Sequence, residues 1–102
     1  MSMAAMVTVF RSRLREVHDG YDEKADEMEA AARSMPGFVD FKSFVADDGE
    51  RVSIAVFDSP ESHAAWRDHP EHRVVQRQGR DEWYAEYHIQ VCQLLFEHDF
   101  SD

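Results

Sequence analysis

His63, His69 and His72 lie close together beside Trp66, Gln76 and Arg80, and the segment ends on Trp83 and Tyr84. Imidazole is the side chain whose ordinary pKa lies near neutrality, so it accepts a proton there without a large shift. His72, Val75, Gln76, Gly79 and Trp83 share one helical stripe, and Val75, Gly79 and Trp83 mark it as the inward face. His72 and Gln76 therefore point partly inward, where polar groups need partners. Either they stiffen the core, or they form the polar patch of an otherwise apolar small-molecule pocket. Trp66, just before a helix break, is either a packing anchor or the flat wall on which an aromatic ligand stacks. Gly79 admits the close approach of the sheet or of a ligand.

Other chemistries lack their residues. Pro70 interrupts helical geometry between His69 and His72, there is no HExxH, and Cys92 stands alone, so no metal is expected. No G-x-S-x-G elbow, G-x-G-x-x-G turn or Walker loop occurs, which leaves a serine hydrolase and a nucleotide cofactor without their cradles. Cys92 falls within a strand and reads as an inert packing residue.

The elements that must position these groups follow from periodicity. Met6 to Leu14 alternates as a strand, apolar on both faces at first and polar toward its end. His18 to Met35 is helical, with Tyr21, Ala25, Met28, Ala32 and Met35 on one stripe, Asp19 as N-cap and Pro36-Gly37 as the stop. Phe38–Ala46 and Arg51–Phe57 form strands joined at Asp47-Asp48-Gly49-Glu50. Phe38 and Phe44 are expected on one face, and Val39, Phe41 and Val45 on the other. Strands apolar on both faces imply that one face meets helices and the other a second sheet. Ser59-Pro60-Glu61 opens a short helix to Arg67. A break near His69 precedes a helix from Glu71 to Trp83, and Ala85 to Phe96 forms a last long strand. The order is ferredoxin-like βαββαβ, an α+β fold whose antiparallel sheet carries its helices on one face. A dimeric α/β barrel follows if two such sheets meet.

The 102 residues amount to one domain, 1–102, and 43% hydrophobic content is that of a globular chain. The formal charge of −10 repels phosphate backbones and anionic lipid, so neither nucleic acid nor membrane is expected as a partner. Arg11, Arg13 and Arg15 make one basic patch and Arg67, Arg73, Arg77 and Arg80 another, while the acidic run from Asp22 to Glu29 reads as a solvated helix face. The first residues lack a basic start and an apolar run, so no leader is expected. The lone cysteine fits a reducing cytoplasm.

Met35-Pro36-Gly37-Phe38, Asp48-Gly49-Glu50, Phe57-x-Ser59-x-Glu61 and above all Trp66-x-x-His69-Pro70-Glu71-His72-x-x-x-Gln76-x-x-Gly79-Arg80-x-x-x-Tyr84 resemble the antibiotic biosynthesis monooxygenase family over Val7 to Phe96. The resemblance implies a homodimer with a pocket between each sheet and its own helices. It also implies oxidation of a small aromatic, polyketide-like or quinol substrate by O₂ with no cofactor. Relatives in the same superfamily open the haem ring, and a dimeric non-catalytic binding protein is a further alternative. Trp66 matches the family's pocket-wall tryptophan. Ser12 stands where oxygenases and haem-degraders often carry Asn, and Gln76 where haem-degraders carry their iron-ligating His. The expected assignment is therefore Ser12, Trp66 and Gln76 for substrate binding, and His72, Arg80 and Tyr84 for proton handling and anion stabilisation.

Overall fold

The computed structural model describes residues 4–102. The expectation of no leader falls partly on residues 1–3, outside the described residues. The elements run β1 (Met6–Leu14), α1 (Tyr21–Arg33), β2 (Phe38–Val45), β3 (Arg51–Phe57), α2 (Pro60–Arg67), α3 (Pro70–Gln78), a π-helical turn (Gly79–Trp83) and β4 (Tyr84–Gln93). The four strands form one antiparallel sheet in the order β2-β3-β1-β4, the ferredoxin-like arrangement expected of the sequence. Among the described residues no helix is long and apolar enough to cross a membrane.

Cross-strand register separates the two faces of the sheet. Thr8 pairs with Ala55 and Val91, and Phe10 with Ser53 and Ile89, all under the helices. Val7, Val9, Val52, Ile54 and Val56 alternate with them onto the uncovered face, where they remain half-buried. Between helices and sheet Ala32, Phe57 and Trp66 form a buried cluster, joined by Met28, Met35 and Phe38.

Several expectations are corrected. Phe38 and Phe44 do not share a face. A bulge at Val39 shifts the β2–β3 register, so Phe38 pairs with Phe57 in the core while Phe44 pairs with Val52 on the open face. Asp19 is not the N-cap of α1. Gly20 holds that place at φ 83°, which glycine adopts without steric cost, and the carbonyl of Asp19 instead accepts from Trp83 Nε1 at 2.9 Å. The single helix expected from Glu71 to Trp83 is α3 followed by the π turn, and the last strand ends at Gln93. Cys92 is exposed, because its partner Val7 places it on the uncovered face. The expected start of α2 holds: Ser59 Oγ accepts from the Ser62 backbone N–H and Ser62 Oγ from that of Ser59.

Candidate functional site

The cap on α2 sets the helix phase, so His63 and Trp66, three apart, both face the sheet and are only 7% and 8% exposed. His63 Nε2 meets Thr8 Oγ1 at 3.0 Å. The break after α2 is held by His69, whose Nδ1 accepts from the backbone N–H of Glu71 at 3.3 Å, with Pro70 as the first helical residue. This turn brings His72 back over α2. Its ring stacks on Trp66 at 4.1 Å and 14°, and its Nδ1 lies 3.1 Å from the Trp66 carbonyl. A carbonyl only accepts, so Nδ1 donates and carries the proton. In the neutral ring Nε2 is then left with its lone pair. Burial lowers the pKa of His72, partly opposed by the bond to the carbonyl. The bond to the backbone thus defines Nε2 as the nitrogen able to accept a proton.

The far end of the site is built by the π turn. Arg15 spreads its guanidinium over the carbonyls of Tyr84, Asp81 and Arg80 at 3.1, 2.8 and 3.1 Å. The arginine read as part of a basic patch is therefore a clamp on the turn's exposed carbonyls, a task suited to a rigid fork of donors. The wide turn returns Tyr84 beneath Gly79, where a Cβ would meet the phenol ring at 2.6 Å. The close approach that Gly79 permits is therefore that of Tyr84. Phe10, Tyr84, Tyr87, Tyr21 and Trp83 make an aromatic end, with Phe10 5.4 Å and Tyr87 5.8 Å from the Tyr84 ring and Tyr21 5.6 Å from Trp83.

Helices and sheet enclose a cavity of about 380 Å³, whose wall includes Trp66, His72, Gln76, Arg80 and Tyr84. Its size and mixed lining are those of small-molecule sites. Arg80 is exposed at this wall and forms no ion pair among the described residues. No three His, Cys, Asp or Glu side chains converge as a metal site among the described residues.

Three of the expected site residues have surroundings that the sequence did not show. Ser12 is buried at 3% but is absent from the cavity wall; it lies two residues beyond Phe10 on the same face, opposite Tyr87. Burial first and the neighbouring Tyr21 second push the Tyr84 phenol above its ordinary range, which favours its neutral, hydrogen-bonding form. Trp66 has His72 stacked on its ring and belongs to the core cluster, so it anchors the helices as well as contributing wall. Sequence reasoning missed Thr8 and His63 as a site pair. Alternation along β1 puts Thr8 beside Phe10 under the helices, but the residue above it is set by the packing of α2.

The comparisons with known proteins agree with this architecture. The family model for antibiotic biosynthesis monooxygenase matches residues 3–78. The chain is 33% identical over 98 residues to YqjZ of Bacillus subtilis (strain 168), an uncharacterized protein, covering 92% of this chain and 86% of that one. It superposes on Rv0793 from Mycobacterium tuberculosis with a TM-score of 0.81 at 18% identity, covering 93% of this chain and 99% of the other. SnoaB from Streptomyces nogalater, described as a cofactor-independent oxygenase, superposes with a TM-score of 0.77 at 14% identity, covering 97% and 99%. With family motif, fold and helix-covered cavity in agreement, the chain belongs to the antibiotic biosynthesis monooxygenase family.

Proposed function

We propose that this protein is a cofactor-independent monooxygenase, working as a homodimer in the cytoplasm, that oxidises an electron-rich aromatic such as an anthrone or a hydroquinone-like polyketide with O₂. The observation that carries the reading is His72: a partly buried imidazole whose Nδ1 donates to the Trp66 carbonyl, lining an aromatic cavity. The similarity to SnoaB supports it. Proton loss to Nε2 makes the substrate an anion, which Arg80 stabilises from the wall. The anion gives one electron to O₂, and the resulting radical and superoxide combine into a peroxide. Loss of water from that peroxide leaves the new carbonyl, so one oxygen atom enters the product and the other leaves as water. Gln76 hydrogen-bonds the substrate, and Trp66, through the His72 ring it supports, holds the aromatic plane.

The homodimer has its own support. Among the described residues the buried hydrophobics are few, namely Ala32, Phe57, Trp66 and Trp83, while an uncovered sheet face carries Val7, Val9, Val52, Ile54 and Val56. A second copy of the same face covers it symmetrically.

An oxygen-electrode assay with anthrone tests the activity. Protein-dependent uptake of one O₂ per anthraquinone formed is expected without added metal or flavin. No uptake, together with a stoichiometric Soret shift on adding haem, would replace the reading with haem binding.

A further inference from the structure

We infer that Thr8 and His63 form a second ligand-binding point on the floor of the cavity, holding an oxygen of the aromatic ligand remote from the one presented to His72. Thr8 lies on the central strand β1, beside the small Ala55 and under α2, and both it and His63 line the cavity. His72, Gln76 and Arg80 belong to α3 and its continuation, a different wall. Phe10, two residues along the same face and so about 7 Å from Thr8, begins the aromatic end. A planar ring system over Phe10 is thus met by polar groups both from the floor and from the α3 wall.

The pair can answer two opposite hydrogen-bonding demands. With the His63 proton on Nδ1, Thr8 donates to Nε2, and its oxygen can accept from a ligand O–H. With the proton on Nε2, His63 donates to Thr8 Oγ1, and the Thr8 O–H is free to donate to a ligand carbonyl. Burial lowers the pKa of His63, which favours the neutral ring that both arrangements require. A phenolic oxygen that becomes a quinone carbonyl makes the same change, from donor to acceptor. This match to a ligand with two oxygen functions rests on the proposed oxidation of aromatics. A Thr–His nucleophile is disfavoured, since no carboxylate is hydrogen-bonded to His63 among the described residues to orient its ring.

The test is calorimetric titration of 1,5-dihydroxynaphthalene and 1-naphthol, without oxygen, into the wild type, Thr8→Ser and Thr8→Val. The wild type and Thr8→Ser are expected to bind the diol about tenfold tighter than the mono-ol, an increment one hydrogen bond can supply. Thr8→Val should bring the two affinities within about twofold of each other while changing that for 1-naphthol little. Thr8→Ala repeats the measurement if Thr8→Val does not fold. A preference for the diol that survives loss of the hydroxyl overturns the inference. So does an equal loss of affinity for both probes, which marks a structural role, and so does failure of both probes to bind the wild type. No oxidation takes place in the titration, so failure of the oxygenase reading would appear in the oxygen assay and not here.

Discussion

At the scale of single residues, His72 and His63 matter because their surroundings favour their uncharged forms. If His72 is the base, His72→Ala should lower turnover about 10²–10⁴-fold with a much smaller change in substrate affinity. Steady-state kinetics on the folded variant checks this, and turnover unchanged per folded molecule would remove His72 from the mechanism. The wild-type kcat/KM should fall on acidification with an apparent pKa below the ordinary 6.5 of histidine, because burial favours the neutral ring. Stability carries the same sign. The unfolded chain protonates both histidines below 6.5 while the folded chain resists, so their contribution is whole above 6.5 and lost as pH falls through the lowered folded values. Asp48 and Asp68 are lowered from 3.8 by hydrogen bonds, to the Glu50 backbone and Arg13 for Asp48 and to Arg67 and Arg73 for Asp68, so their losses come only below that value. A melting temperature that declines between pH 6.5 and about 5, before the carboxylates contribute, is expected; a flat profile there would contradict the burial argument.

At the scale of elements, the π turn and its clamp set the far end of the cavity. Gly79→Ala would drive a methyl into the Tyr84 ring, at 2.6 Å from its Cε2. Overpacking of this kind costs about 1–3 kcal/mol, read as a lower denaturation midpoint. The same substitution made on a Tyr84→Ala background should cost far less, since the clash is gone; equal costs in both backgrounds would refute the contact as the reason for glycine. This contact was legible only in part: an inward glycine on a helical stripe signals close approach, yet Tyr84 follows it in sequence and reaches it only because the turn widens.

At the scale of the whole molecule, the open sheet face is the strongest argument for self-association. Val9 and Ile54 are cross-strand partners at its middle, so Ile54→Asp places an unpaired carboxylate where two copies would meet. Light scattering at micromolar concentration should give twice the 11.9 kDa chain mass for the wild type and the single mass for the variant. A wild-type monomer would leave the apolar face unexplained and count against the dimer. Ile54 faces away from the cavity, so its substitution leaves the site's own residues in place.

Element order, sheet type and the helical stripe with His72 and Gln76 were legible along the chain, because each depends on side-chain periods of two or of about 3.6 residues. The same periodicity marked Ser59 and Pro60 as a helix start. Pairings that local periodicity does not set were not legible. Thr8 with His63, Arg15 with the carbonyls of the π turn, and Tyr84 with Gly79 each join groups through packing angles and a change of helical pitch that no local pattern encodes. The bulge at Val39 is the same lesson within a strand: one unpaired residue reverses the alternation, so Phe44 leaves the face that Phe38 occupies. Ser12 had the right strand and the right face, but cavity shape, which depends on all the surrounding elements at once, leaves it outside the wall.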